Sequence, residues 1–518
     1  MVIKFGWMET MDVLHWLISN HEAATRGIEP AIIPTVLIPL TAVTVALSSL
    51  AGLIAGWFGI KLNTEGPKQF LEVLLKKRVI FSMILMNLLG LGIYRSYIYV
   101  KTLPSFISTI EWNSKRHAIP STDAYTESRM RPHDYYGAIA PAQEMSVRLV
   151  NEQKIPAGAF RSAAISNHSL FYGSDDGRIY EIDQKDLKTK RTFFIGEQVT
   201  TRPVIFNGHI YTGEGTHLTH HARIYSFDLK TGQFTGAFQT KGHTEGQPII
   251  VTKDKTDFML VPAGSDGLYA VDPNSLKEIW HVIDGHIDGT VSVEKNIVYI
   301  GTGVEKGKQG ERSFAIARDL VSSKLFWKKE LPLSSWMHPI ITRSDVCYVL
   351  GEIYLPSKVG LVYCLDKKTG TPHFSIPFDA PIASKPFFIS EGDNEYLYLA
   401  TMQGEVCGIN INKKEKMWCQ QTKKDQNFDA YALTSLEFDP QRGTLWYPSA
   451  DNGIFGFSAK EGQILAHWNP SKNETPWNEN YAAVNVVGDK IFHIDIKGNM
   501  RMLEISDRER MQAPLAGK

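Results

Sequence analysis

Cysteine is scarce and late. The four in 518 residues are Cys347, Cys364, Cys407 and Cys419, so none precedes position 347. No two are adjacent and none forms CxxC, which argues against a zinc ribbon, a thioredoxin-type motif or a c-type haem attachment. An excess of either charge is also lacking. Lys plus Arg equals Asp plus Glu at 55 each, whereas a nucleic-acid surface calls for basic charge gathered on one face. No phosphate-cradling glycine loop, Gly-x-Ser-x-Gly elbow or kinase motif set occurs. A metal site is not expected either. The segment Thr216–His221 crowds His217, His220 and His221 together, but without a carboxylate or thiolate at fixed spacing it reads as a solvated loop.

What is present divides into an apolar N-terminus and a polar, aromatic-rich remainder. Residues 1–30 place Met8, Met11, Leu14, Leu17 and Ile18 at helical spacing beside Trp7 and Trp16. The pattern predicts an amphipathic helix, lying either at a membrane surface or against its own neighbours. Residues 31–60 carry no charged side chain, longer than the roughly 20 residues a bilayer demands, and predict a transmembrane helix. Within it Ser48, Gly52 and Gly56 form a small-xxx-small series that lets another helix approach. A second span is expected over Val79–Tyr94, extended through Tyr97–Val100, with Arg95 snorkelling near its end. Residues 31–100 thus read as a membrane domain of two transmembrane α-helices.

The connection between the two spans carries Lys61, Lys68, Lys76, Lys77 and Arg78, against only Lys4 and Arg26 in the first 30 residues. Positive loops stay in the cytoplasm, so both ends of the chain are expected outside it. Residues 101–142 are mixed and aperiodic and read as a tether, partly ordered against the C-terminal domain.

From residue 143 to 506 one phrase recurs. Its cleanest copy, Ser169–Phe193, sets an aromatic strand, a Gly-Ser-Asp-Asp-Gly turn, an alternating strand, an Asp-anchored turn and a strand closing on an aromatic. Further copies lie at Ala222–Phe238, Ala263–Trp280, Gly360–Phe374, Gln403–Trp418 and Asp451–Trp468, with a weaker one at Arg312–Trp327. The landmark aromatics Tyr180, Tyr225, Tyr269, Phe314 and Tyr363 recur about every 44 to 49 residues, a propeller-like period. Seven full copies begin near Ala163, Pro203, Pro248, Val291, Pro339, Pro386 and Leu433. An eighth, from Ala482, lacks its outer strand, and Met145–Val150 can supply it and close the ring. The expected architecture is an all-β, eight-bladed β-propeller preceded by two transmembrane helices, with a short tail at 507–518.

The phrase resembles the pyrroloquinoline-quinone-type (PQQ-like) propeller repeat. The resemblance rests on Asp176–Gly177, Ile179–Tyr180, Asp183, Asp228, Thr231–Gly232, Asp266–Gly267, Asp272, Asp366 and Thr369–Gly370, with closing Trp280, Trp327, Trp418 and Trp468. It covers roughly 145–505, and the Trp-Asp dipeptide of the rival WD40 repeat is absent. Within this family the compact blades are most similar to the propeller lipoprotein of the outer-membrane β-barrel assembly machine. That relative is lipid-anchored through an N-terminal cysteine. Here no cysteine precedes Cys347, so the anchor is expected in the helices.

The resemblance implies two functional classes. A quinoprotein dehydrogenase of this family commonly holds its quinone beneath a disulfide of adjacent cysteines, over a Trp floor, beside calcium and an Asp base. This chain has no adjacent cysteines, no long blade insertions and no CxxCH. The favoured expectation is therefore a non-catalytic scaffold or accessory subunit without cofactor. It would sit in a bacterial inner membrane with the propeller in the periplasm, touching lipid and membrane subunits but no nucleic acid. A PQQ-dependent dehydrogenase or a ligand-sensing module is the alternative.

The rim of the central funnel is the candidate site. Residues just ahead of each innermost strand converge on the axis, and two neighbouring blades open in parallel as Gly242–Gln247 (GHTEGQ) and Gly285–Thr290 (GHIDGT). The candidate binding residues are Arg202, His243, Glu245, Gln247, His286, Asp288, His338, Lys385 and Thr434, either a functional rim or ordinary turn residues repeated by descent. Cys347 and Cys364, and likewise Cys407 and Cys419, flank turns symmetrically. They read as two cross-strand disulfides or as four buried thiols.

Overall fold

The computed structural model describes residues 134–507 apart from 217–218, 306–307, 309–310, 354–357, 425–433 and 478–479. The expected membrane domain, with Ser48, Gly52 and Gly56, lies outside the described residues, as do the 1–30 segment and residues 508–518. Among the described residues all regular elements are strands, and no helix is long and apolar enough to cross a membrane.

Eight sheets, each with four antiparallel blade strands, form an eight-bladed propeller. Their innermost strands are Ala164–Ser166, Val204–Phe206, Ile249–Lys253, Ser292–Glu294, Ile340–Ile341, Phe387–Glu391, Glu437–Asp439 and Asn485–Val487. These begin within a few residues of the starts read from the repeat. The eighth blade takes its outer strand from the other end of the domain. Met145–Lys154 pairs antiparallel with Asn499–Asp507, from Met145 opposite Asp507 to Lys154 opposite Asn499. Closing the ring in this way covers a sheet edge that would otherwise present a row of unpaired backbone groups.

The two middle strands of each blade are buried on both faces because each sheet is covered on both, while the outer strands are largely exposed. Eight core clusters occupy the eight seams between neighbouring blades. The seam between blades three and four, for example, joins Ile249, Leu260 and Leu268 to Val293, Val298 and Ile316.

The repeat phrase has a physical explanation in these seams. In the Asp-x-x-Thr-Gly turn, Asp366 Oδ1 accepts from the Thr369 amide at 2.8 Å and its hydroxyl at 2.9 Å, and Asp228 and Thr231 repeat the pattern. The closing tryptophan of one blade then caps the equivalent turn of the next, which opens on Asp319, Asp366 or, in blade seven, Ser458. Trp280 Nε1 donates to Leu320 O (2.9 Å), Trp327 Nε1 to Lys367 O (3.2 Å) and Trp418 Nε1 to Ala459 O (3.1 Å). Gly370, at φ 69°, lies under Trp327, where a Cβ would come within 2.7 Å of the indole. The glycine is thus required by both its conformation and its neighbour. The motif tyrosine serves the preceding turn: Tyr180 and Tyr269 hydroxyls donate to Asp176 (2.6 Å) and Asp266 (2.5 Å).

One strand is additional. Asp134–Tyr136 pairs in parallel with the inner strand Phe387–Glu391, and Ile139 joins the core between blades six and seven. The end of the expected tether is therefore built into the propeller.

Candidate functional site

The inner strands deliver a ring of polar side chains to the axis. Arg202, Gln247, Thr290, His338 and Lys385 each stand two residues ahead of an inner strand, in blades two to six. Glu245, Asp288 and Trp336 stand four residues ahead in blades three to five. Arg161, ahead of blade one, completes the group. Of these, Arg161, Arg202, Glu245, Gln247, Asp288, Thr290, Trp336 and Lys385 line a single axial pocket together with Thr201, Gly289 and Met337. Lys385 Nζ donates to Gln247 Oε1 at 3.1 Å, and the pocket has room for about one water-sized particle.

Burial dominates the electrostatics. The Lys385 ammonium lies well below its ordinary pKa because it is buried and faces the charges of Arg161 and Arg202. His338 is held down at about 3 by burial and by Lys385. Burial also lowers both Arg161 and Arg202, with Glu245 and Glu437 respectively opposing. Glu437 is pushed up to about 7 by burial, with Arg202 opposing and Asp439 adding to the rise. Arg161, Arg202 and Lys385 thus share a nearly dry space with Glu245 and Asp288, where poor solvation disfavours each charge except as its neighbours offset the cost.

Beside this ring stands a histidine–carboxylate cluster. His243 Nε2 and His286 Nε2 contact the two oxygens of Asp288, Oδ1 at 2.8 Å and Oδ2 at 2.7 Å. Burial would lower the His243 pKa, but the Asp288 hydrogen bond and the charges of Asp288, Glu245 and Glu305 together raise it. Asp288 is held below the usual carboxylate range: its two histidine hydrogen bonds outweigh burial, which alone would raise it.

Five of the nine rim residues read from the sequence, Arg202, Glu245, Gln247, Asp288 and Lys385, line the axial pocket; His243 and His286 stand beside it on Asp288, and His338 faces the Lys385 charge. Thr434 lies apart: it stands three residues ahead of its strand, and its hydroxyl donates to Pro448 O at 3.0 Å within its own blade. Ser435 holds the equivalent place, its Oγ accepting from the Lys385 amide at 3.1 Å. The sequence reading missed Arg161, Trp336 and Glu437. Trp336 stands four residues ahead of its strand, as Glu245 and Asp288 do, whereas Arg161 stands three ahead and Glu437 begins its strand, so a fixed count from the blade starts reaches only Trp336. His220 and His221 are exposed, while His217 lies outside the described residues.

Cys347 bonds to Cys364 and Cys407 to Cys419, each pair directly opposed across adjacent antiparallel strands with Cα atoms 4.0 and 4.1 Å apart. Both bridges lie in the core between blades five and six. Glu405 beside Cys407 and Cys419 makes no metal site, because both sulfurs are committed to the bridge.

Residues 264–515 match the family model described as outer membrane protein assembly factor BamB. No curated protein sequence matches the chain. Among solved structures, BamB from Moraxella catarrhalis is 14% identical with a TM-score of 0.49, over 69% of this chain and 99% of that one. Quinohemoprotein alcohol dehydrogenase from Comamonas testosteroni is 11% identical with a TM-score of 0.51, over 69% of this chain and 76% of that one. A europium-containing methanol dehydrogenase is 12% identical with a TM-score of 0.50, over 69% and 93%. At such identities the likeness is one of fold, and fold is shared by enzymes and non-enzymes. The described domain is an eight-bladed propeller of PQQ-like repeats, and over residues 264–515 those repeats match the BamB family model.

Proposed function

We propose that this chain is a membrane-anchored accessory subunit whose propeller rim docks a partner protein of a membrane complex. One observation carries the reading: the axial pocket is filled by its own side chains. Lys385 and Gln247 meet there, and what remains takes about one water. A planar tricyclic quinone does not fit that space. The two disulfides join opposed strands inside a seam rather than adjacent residues, so neither stands where it would cover such a quinone. A mixed rim of acids, bases and amides suits recognition of a polar partner loop at the mouth instead.

The anchor is the uncharged run 31–60 and the apolar run 79–100, with Ser48, Gly52 and Gly56 packing on a membrane subunit. The positive connection between them supports placing the propeller on the periplasmic side of a bacterial inner membrane. Two disulfides in the propeller accord with that oxidising compartment. The family description, an outer membrane protein assembly factor, supports a role in assembly over one in catalysis.

The test is native purification in detergent with mass spectrometry of what accompanies the chain, beside the combined variant Arg202→Ala, Gln247→Ala, Lys385→Ala. Defined membrane subunits should accompany the wild type and be lost from the folded variant. Quinone absorbance or dye-linked alcohol oxidation in the wild-type preparation would instead establish the dehydrogenase.

A further inference from the structure

We propose that His243, His286 and Asp288 form a binding site for one divalent transition-metal ion, with the two Nε2 atoms and the Asp288 carboxylate as ligands. The three potential ligand atoms lie within 4.8 Å of one another. Two imidazoles and one carboxylate are a donor set suited to zinc and its neighbours, and three protein ligands leave a position for an exogenous one.

The hydrogen-bond chain behind His286 prepares it for this role. The Glu305 carboxylate pairs with Lys308 at 2.8 Å and accepts the Ser265 hydroxyl proton at 2.7 Å. Ser265 has only one proton to give. Its Oγ, 2.9 Å from His286 Nδ1, therefore accepts the Nδ1–H. His286 Nε2 is then the ring nitrogen aimed at Asp288 Oδ2, 2.7 Å away. A ligating histidine that donates its other N–H to an oxygen partner, itself held by a carboxylate, is the arrangement that orients metal ligands.

The backbone holds the cluster in place. Gly264 and Ile287 exchange hydrogen bonds at 3.1 and 3.0 Å, and the Gly303 amide donates to His286 O at 2.9 Å. Gly264, at φ 56°, lies against the His243 ring, where a Cβ could not fit. The side chains of His243, His286 and Asp288 are 5%, 1% and 9% exposed, so bulk water competes little for the ion. Ser265 is exposed at the rim and marks a route in. Ligands about 2.0–2.1 Å from a tetrahedral ion stand ~3.3 Å apart. Both histidine nitrogens already stand against the carboxylate, 2.8 Å from Oδ1 and 2.7 Å from Oδ2, and the ion would be seated by widening these contacts within a cluster whose ligand atoms lie within 4.8 Å. This assignment is independent of the scaffold reading.

The experiment uses the full chain, untagged, stripped with chelator and titrated with Zn²⁺ alone by calorimetry. Co²⁺ serves as the optical probe, and X-ray absorption on the zinc-loaded wild type reads the ligand types. The expected result is one equivalent of zinc, tetrahedral cobalt bands and two imidazoles in the zinc shell. His243→Gln and His286→Gln should each weaken binding at least tenfold, and Ser265→Ala less, while thermal unfolding confirms that each variant is folded. The absence of saturable binding, or a zinc shell without imidazole, would overturn the proposal. Binding lost in His220→Ala/His221→Ala but kept in the folded cluster variants would overturn it equally.

Discussion

Lys385 Nζ reaches Gln247 Oε1 at 3.1 Å and so joins the sixth blade to the third, three places round a ring of eight. The contact closes the axis with a buried lysine whose ammonium is disfavoured by burial and by Arg161 and Arg202. In the unfolded chain that lysine is protonated up to its ordinary pKa, so at neutral pH it costs the folded state stability. Lys385→Met should therefore leave stability unchanged or raise it by up to about 3 kcal/mol at pH 7. The advantage should shrink as pH rises toward 10, where the unfolded chain also loses the proton. Thermal unfolding of both proteins at pH 7 and pH 9.5 checks it. A large loss at pH 7 would mean that the ammonium is satisfied where it stands.

Glu437 gives a pH dependence of opposite sign. Its pKa stands at about 7 because it is buried, so between the ordinary glutamate value and 7 the folded state keeps a proton that the unfolded chain has released. Stability then falls as pH rises through that window and levels above it. The fall amounts to roughly 1.4 kcal/mol for each pH unit between the unfolded and folded pKa values. Glu437→Gln should remove this slope. The difference between wild-type and variant unfolding free energies, measured from pH 4.5 to 8, should grow in the variant's favour and plateau near pH 7. A constant difference would show that Arg202 neutralises the glutamate fully.

The two disulfides close sequence separations of 17 and 12 residues inside one seam. Without reductant no cysteine should be alkylated in the unfolded protein, and after reduction all four should be, read by intact mass. Replacing Cys347 and Cys364 together by alanine should cost roughly 2–4 kcal/mol, chiefly by freeing the unfolded chain. Labelling of four thiols without reductant would end this expectation.

The propeller was legible because its repeat is a contact pattern. Asp366, Thr369, Gly370 and the preceding Trp327 recur as a phrase since each needs the others across a seam. The circular closure was legible because the last copy visibly lacked a strand. Asp134–Tyr136 was not, as three residues added in parallel to an inner edge leave no period in a polar segment. At the axis, counting back from each blade start brought Arg202, Gln247, His338 and Lys385 together, and a count one residue off gave Thr434 in place of Ser435. The histidine cluster was half legible. The two parallel phrases showed a histidine two residues ahead of a carboxylate in each blade. Only the fold shows that His243 of one blade shares Asp288 of the next, while Glu245 lies near Arg161.

The ring closure sets a buried charge and an exposed one on the same pair of strands, and their costs should differ. Arg501 is fully buried. Its Nη1 donates to Asp495 Oδ2 at 3.1 Å, its Nη2 to Pro476 O at 3.2 Å, and its guanidinium lies 5.5 Å from the Trp477 ring. Its Nε stands 2.9 Å from Glu152 Oε1, and Glu152 alone of these partners comes from the Met145–Lys154 strand. Nearby on the same junction Arg148 pairs with Glu504, at 69% and 36% side-chain exposure. Removing one member of a buried pair leaves the other without its counter-charge, whereas exposed pairs contribute at most about 1 kcal/mol. Asp495 still faces Arg501 when Glu152 is neutralised, so Glu152→Gln should cost roughly 1–3 kcal/mol, short of a full buried-pair loss. Arg148→Ala should cost under about 0.5 kcal/mol and lose even that in 1 M salt, where the Debye length falls to about 3 Å. Urea unfolding of both variants at low and high salt makes the comparison. Equal costs for the two would place the strength of the seal in the backbone pairing of Met145–Lys154 with Asn499–Asp507 and leave the buried arginine as a spacer.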